Sequence, residues 1–476
     1  MHMRQLQRHP RDQAPRGDAP ALHGPQPVLA DEDMSPGEER KMRYVIVGGS
    51  AAAISAIEGI RSVDSASSID VFSDEKTPLF SRVLLPYYIA EQLTKPLLNF
   101  RSADFFEKQG VTPHMGVRVR EVSAGSKTIE TDDGASHPFD LLLLATGGKP
   151  HIPPIPGIDK KGVSTLKTME DAERIYRLPG KRALVIGAGT VGVEAAISLR
   201  KRGLKVSLLE KLGHILPTLF DEEAASIVRR RIEDLGIEVF TGERAVQLRG
   251  NGQVKGVVTD RRDIDCDVVV FAVGLEPAVE LAEKAGIEIG SKGGIKVDPQ
   301  MKTSVSDIYA AGDVVETFDI SRNANSMNAI WPCACEQGRI AGLNMAGRKT
   351  SYAGSFRINS IGNFIGIPAI SMGVINAEAC EEYASGYNFQ EIKKRTKDSY
   401  WKLVLREGCV IGAIMVGQTR KAGLITMLLK KKIDVSDSIP LLLSDNLNFI
   451  DLLPLLRLNA DKFLEPEYKE LMDTGH

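Results

Sequence analysis

The residues whose types and spacing best suit chemistry are the glycines of Gly187-Ala188-Gly189-Thr190-Val191-Gly192, a complete G-x-G-x-x-G, and Glu210, which closes the next apolar run. Gly187 permits a tight turn, Gly189 lets backbone approach a pyrophosphate, and Gly192 lets the following helix pack closely. The phosphates then meet free N–H groups and the positive end of the helix dipole. A carboxylate at Glu210 accepts from both ribose hydroxyls and repels a 2'-phosphate, which favours NADH over NADPH; Lys211 beside it weakens that preference.

A degenerate copy of the same pattern precedes it. Gly48 keeps the turn, Ser50 stands at the middle glycine and Ala53 at the last, where Ala is tolerated. Register between the copies places Ser73 opposite Glu210. The ribose carboxylate of the first copy is therefore expected from Asp74 or Glu75, with Asp74 as the candidate. Three further segments carry small residues at turns: Ala145-Thr146-Gly147 after an apolar run, Ala272-Val273-Gly274 ahead of Pro277, and Ile308-Tyr309-Ala310-Ala311-Gly312-Asp313.

The elements that must position these residues are two βαβ units. Tyr44 to Val47, Ala51 to Arg61 and Ile69 to Ser73 read as strand, helix and strand, and so do Ala183 to Ile186, Thr190 to Arg202 and Lys205 to Glu210. Such units form parallel sheets. Beyond Ser351 the pattern changes to strands Tyr400 to Arg406 and Cys409 to Val416 around Glu407-Gly408, a hairpin signal, followed by a helical stretch from Thr419 to Lys432. The first 41 residues hold six of the 24 prolines with almost no apolar periodicity, so they are expected as a disordered tail. The expected fold class is α/β: two doubly wound (Rossmann-like) dinucleotide-binding domains plus a C-terminal α+β domain. The expected boundaries are 42–157 and 277–350 for the first, discontinuous domain, 158–276 for the second and 351–476 for the last.

Composition excludes several partners. Sixty Lys and Arg against 62 Asp and Glu leave a net charge of -2, so no basic surplus points to nucleic acid. Apolar runs such as Leu141 to Ala145 are too short for membrane insertion. Five cysteines without a C-x-x-C argue against a disulfide framework or a four-ligand zinc site, no metal is expected, and a reducing, cytoplasmic compartment fits.

Together these motifs resemble the FAD-dependent pyridine nucleotide:disulfide oxidoreductase family over Met42 to Gly347. The resemblance implies FAD in the first βαβ unit, NADH in the second, and Asp313 on the ribityl and phosphate portion of the flavin cofactor. Phe80-Ser81-Arg82-Val83-Leu84-Leu85 is similar to the branch of reductases that feed rubredoxin, ferredoxin or a nitrite reductase module, with Arg82 near the FAD pyrophosphate. Electron-transfer relatives carry a Lys where this chain has Tyr87, paired near the flavin with a Glu matching Glu194, so Tyr87 and Glu194 are the catalytic candidates and Tyr87 departs from the pattern. The redox groups of the disulfide reductases are missing: Ala51 to Arg101 contains no Cys, Val83 occupies the single-Cys position, and the only His after His214 is His476. Trp331-Pro332-Cys333-Ala334-Cys335 resembles the segment that opens a helix beside the flavin; its C-x-C is open to a redox pair, a metal pair, though it supplies only two ligands, or two small buried residues. The implied function is electron transfer from NADH through FAD to a rubredoxin, a ferredoxin or a metalloprotein partner subunit. A peroxide-forming NADH oxidase and a flavin-containing assembly protein are the alternatives, and a homo-oligomer stays open.

Overall fold

The strands that build the two parallel sheets are short and apolar on both sides: Tyr44 to Val47, Leu142 to Leu144 and Val268 to Phe271 are buried throughout. Parallel strands covered by helices on both faces demand this composition. The computed structural model describes residues 41–380, 386–444 and 447–463; apart from Lys41, the expected N-terminal tail lies outside them.

In the first unit, β1 (Arg43–Val47), α1 (Ala51–Arg61), β2 (Ser68–Ser73), β3 (Val111–Met115) and β4 (Leu141–Leu144) follow in order. In the second, β5 (Val163–Thr165), β6 (Arg182–Ile186), α2 (Thr190–Lys201), β7 (Lys205–Glu210), α3 (Glu222–Asp234), β8 (Ile237–Thr241) and β9 (Val268–Phe271) do the same. The chain then returns to the first unit through β10 (Ile308–Ala310) and α4 (Trp331–Met345). The sheet orders are β10-β4-β1-β2-β3 and β8-β7-β6-β9-β5, with every pairing parallel.

The two units repeat one local design at the point where strand order reverses. Gly48 N donates to Phe72 O and Ala145 N to Val47 O; Gly187 N donates to Leu209 O and Ala272 N to Ile186 O, all at 2.8 Å. Val47 pairs with Phe72 and Ile186 with Leu209, so Ser73 and Glu210 are structurally equivalent, as the sequence register predicts. A crevice at the carboxyl ends of the strands beside such a switch point is where α/β sheets bind ligands.

α1 and α4 meet backbone to backbone. A Cβ at Gly338 would stand 2.1 Å from Ala52 O, and one at Gly342 would stand 2.2 Å from Ala56 O. No side chain fits there, which is why α1 is built from Ala51, Ala52, Ala53 and Ala56 on its buried face.

The C-terminal sheet is antiparallel, in the order β11-β12-β15-β14-β13, from β11 (Ile358–Ser360), β12 (Ala369–Gly373), β13 (Phe389–Arg395), β14 (Tyr400–Arg406) and β15 (Cys409–Val416). The predicted hairpin is β14–β15, and α5 (Ala422–Lys431) packs on it. A buried polar cluster joins this sheet to the second unit. Asp221 caps α3 through Ala224 N at 3.0 Å while its other oxygen accepts from Tyr400 Oη at 2.6 Å and meets Lys402 Nζ at 3.3 Å. Lys402 is 1% exposed and also reaches Glu391 at 3.0 Å and Asn376 at 2.9 Å. Three polar partners explain how a lysine survives in a sheet core.

Gly338→Ala forces a methyl group into the Ala52 carbonyl. It is expected to lower the unfolding free energy by about 1–3 kcal/mol, measured by denaturant unfolding; unchanged stability would mean that the helices can separate without cost.

Candidate functional site

One cavity of 1690 Å³ runs past both switch points. Gly48, Ser50, Asp74, Arg82, Thr146, Gly147, Gly312 and Asp313 line it from the first unit, and Gly187, Gly189, Glu194, Glu210 and Gly274 from the second. Three long helices begin at it without a side-chain cap or an acidic residue in the first turn: α1 after Ser50, α2 after Gly189 and α4 after Ile330. By contrast, the helix Met169–Arg177 has a capping box on Thr168, and α3 is capped by Asp221 with Glu222 and Glu223 beside it. Bare N-terminal amides directed at one cavity form a cradle for anionic groups.

The glycine positions show why their side chains are absent. Gly187 has φ +98°, and its Cβ would lie 2.4 Å from Ala272 O. A Cβ at Gly192 would stand 1.8 Å from Gly187 O, whereas Gly189 meets nothing within 4 Å and leaves its side of the turn open. Ala53 is fully buried behind the first turn, at the position equivalent to Gly192. Neither Ala53 nor Gly192 lines the cavity; both set how closely a helix approaches its strand. Glu210 is buried with its carboxylate held at both ends, Oε2 by Ala188 N at 2.8 Å and Oε1 by Leu212 N at 3.0 Å. Thr146 Oγ1 donates to Ala278 O at 2.8 Å, tying the end of β4 to the segment after Gly274.

The two acids after β2 are separated by their partners. Glu75 forms a forked pair with Arg82, at 2.5 and 3.3 Å, and Arg82 also donates to Lys167 O at 2.9 Å. Asp74 stays exposed on the cavity wall. Lys167 also lines this wall, a residue that sequence reasoning missed because it lies in the linker between the units, outside any motif. Burial and the neighbouring Arg82 lower its pKa. Asp313 shifts the other way: burial raises its pKa, and Arg82 and Lys167 partly offset the rise. Gln337 steadies the Asp313 turn, accepting from Gly312 N at 2.9 Å and donating to Thr317 and Tyr352.

Tyr87 is not brought to the cavity. The helical turn Leu85–Ile89 presents Leu85 and Pro86 to it, while the Tyr87 ring packs against Phe364 with centroids 4.6 Å apart. Of the two catalytic candidates, only Glu194 lines the cavity, in keeping with the departure of Tyr87 from the relatives' Lys–Glu pattern. Burial pushes the Glu194 carboxyl up to about 8. Cys333 and Cys335 face different neighbours, Ser355 and Tyr352 for the first, Ser55 and Arg101 for the second. Neither lines the cavity, and burial raises both thiols.

Residues 42–338 match the family model described as pyridine nucleotide-disulphide oxidoreductase. The chain belongs to this family. Residues 360–433 match the rubredoxin NAD+ reductase C-terminal domain, which supports the branch that the Phe80 to Leu85 segment resembles. Among curated relatives, the NADH-dependent phenylglyoxylate dehydrogenase subunit epsilon of Aromatoleum evansii is 30% identical over 83% of this chain and 93% of its own length. An NADH oxidase of Methanocaldococcus jannaschii is 33% identical over 65% of this chain and 71% of its own. Among solved structures, an NAD-dependent persulfide reductase from A. fulgidus superposes with a TM-score of 0.77 at 29% identity, covering 83% of this chain and 78% of that one.

Members of the pyridine nucleotide-disulphide oxidoreductase family bind FAD and NADH, and this chain is an NAD(P)H-dependent flavin oxidoreductase. The reading as a non-enzymatic assembly protein falls away. The cavity fits two dinucleotides: two glycine turns, each before an uncapped helix, could each receive a pyrophosphate, and the buried Nδ2 of Asn359 on its wall has no partner among the described residues.

Two outcomes follow for the site. Asp313→Ala is expected to raise the FAD dissociation constant at least tenfold, since a hydrogen bond to a charged group is worth about 1.5–3 kcal/mol; retention of FAD through gel filtration at wild-type level would refute this role. Glu194 gives a pH signature in the flavin-free protein. Its folded pKa of about 8 lies above the ordinary 4.5, so below 4.5 both states hold the proton and the group is neutral to stability. Between 4.5 and 8 the unfolded chain releases the proton and the folded chain keeps it, so stability falls as pH rises. Glu194→Gln has no proton to release, and its Tm is expected to gain on wild type across that window and level off above it. A Tm difference independent of pH would place the carboxyl in water.

Proposed function

We propose that this protein passes electrons from NADH through FAD to a separate electron carrier, a rubredoxin, a ferredoxin or a metalloprotein partner subunit. The observation that carries the reading is a dinucleotide cavity without a thiol. Val83 stands on its wall, 52% exposed, where single-cysteine relatives carry their redox sulfur, and none of the five cysteines lines the cavity. Bound FAD accepts a hydride from NADH and can release its electrons one at a time.

The chain's own residues bind and orient. The amides at the start of α1 and α2 hold the two pyrophosphates, and Asp313, Arg82 and Lys167 set the charge around the first. Glu210, already fixed by two backbone amides, receives the NADH ribose and disfavours a 2'-phosphate. Glu194 presents a neutral carboxyl to the cavity at pH 7, so it adds no charge beside the transferring hydride. Two findings support a protein acceptor: the match of residues 360–433 to a rubredoxin reductase domain, and a relative that is by name a subunit of a larger NADH-dependent enzyme.

The test is steady-state NADH oxidation with rubredoxin, ferredoxin and dioxygen as acceptors. A carrier protein is expected to raise kcat well above the rate in oxygenated buffer, with kcat/KM for NADH about tenfold or more above NADPH, the factor that corresponds to about 1.4 kcal/mol. Replacing all five cysteines by Ser is expected to leave this activity nearly intact. Oxygen consumption as fast as any carrier reaction would make the protein an NADH oxidase instead.

A further inference from the structure

Two buried side-chain nitrogens lack a hydrogen-bond partner among the described residues, Arg249 Nε and Asn359 Nδ2. The Arg249 guanidinium is served elsewhere, since its Nη2 donates to Asp265 at 2.9 Å. Nothing serves the Asn359 carboxamide in that way. A buried polar group without a partner is costly, and native proteins rarely keep one without a purpose.

Asn359 sits in the middle of β11, the edge strand of the C-terminal sheet, and Ile358, Asn359 and Ser360 all line the dinucleotide cavity. The segment before β11 is stitched to the flavin side of the molecule. Ile320 N donates to Ser355 O at 2.8 Å, and Asn328 Nδ2 donates to Ser355 Oγ at 3.1 Å and to Asp319 at 2.9 Å, just ahead of the uncapped start of α4. β14, next to the far edge strand β13, contacts the second unit through Asp221, and the turn after β11 packs on that unit as well, with Lys201 Nζ 5.7 Å from the centre of the Phe364 ring. The hydrogen bonds of the segment before β11 thus tie Asn359 to the first unit, where FAD is expected.

We propose that Asn359 is a positioning residue for the flavin cofactor: its carboxamide N–H donates to an acceptor atom of bound FAD, so that the C-terminal sheet forms part of the flavin's seat. The inference rests on FAD occupying the first unit. A carboxamide donor needs a carbonyl oxygen, a ring nitrogen or a hydroxyl oxygen, all of which FAD presents, and none of the described residues offers one to Nδ2.

The experiment compares full-length wild type with Asn359→Ala and Asn359→Asp, measuring the FAD dissociation constant by flavin fluorescence, the visible flavin spectrum and the midpoint potential. Both variants are expected to bind FAD about tenfold more weakly, the loss of one buried hydrogen bond, with a shifted visible band. Asn359→Asp keeps the side chain's shape while placing a negative charge beside the flavin, and a lower midpoint potential is expected of it. Should the Ala variant fail to fold, the Asp variant decides. Wild-type affinity and spectrum in a folded variant overturn the proposal. A wild-type protein that takes up no FAD overturns the cofactor assignment itself, and this proposal with it.

Discussion

The contact on which the site depends is the crossing of α1 and α4, where Gly338 and Gly342 lie directly on the carbonyls of Ala52 and Ala56. Two helices from segments nearly 300 residues apart are held there at backbone distance, and both begin at the cavity. Because no side chain separates them, neither helix can slide without a collision, and their N-terminal amides keep one orientation. Gln337 extends the same contact to the Asp313 turn by accepting from Gly312 N. The packing of α1 on α4 thus fixes the geometry of the first glycine turn and the Asp313 turn together.

Electrostatics in the cavity follow from what the fold leaves uncompensated. The helix Met169–Arg177 and α3, which face elsewhere, are capped by Thr168 and Asp221, whereas α1, α2 and α4, which begin at the cavity, are not capped. The cations Arg82 and Lys167 sit against Asp313 where the first pyrophosphate is expected, while Glu194 has no charge partner and stays protonated through neutral pH. The phosphate region carries charge and the region of Glu194 stays neutral, an arrangement suited to holding an anionic cofactor.

Local signals were legible in the sequence. Gly187, Gly189 and Gly192 announce a turn because each serves a steric need within a few residues, and the equivalence of Ser73 with Glu210 follows from counting along two short units. Long-range partnerships were not legible. The Glu75–Arg82 fork, the arrival of Lys167 from a linker, and the burial of Lys402 against Asp221 depend on which surfaces the tertiary fold brings together. Tyr87 shows the limit most clearly. Its position along the chain fits a residue beside the flavin, yet a one-turn helix rotates Leu85 and Pro86 to the cavity and turns the Tyr87 ring onto Phe364.

That rotation bears on how electrons leave. Neither a lysine nor a thiol stands on the cavity wall at Tyr87 or Val83, and the surface there is apolar, from Val83 through Leu84 and Leu85 to Pro86. An apolar wall without an acid, base or nucleophile assists no bond-breaking in an acceptor. It suits outward transfer of electrons, where distance and orientation set the rate and no atom of the acceptor is bonded to the protein. The C-terminal sheet closes the cavity through β11 and is fastened to the second unit through Asp221, Tyr400 and Lys402. That fastening fixes β14 against the second unit while β11 lines the cavity, so the sheet cannot shift without breaking the buried contacts of Asp221 and Lys402.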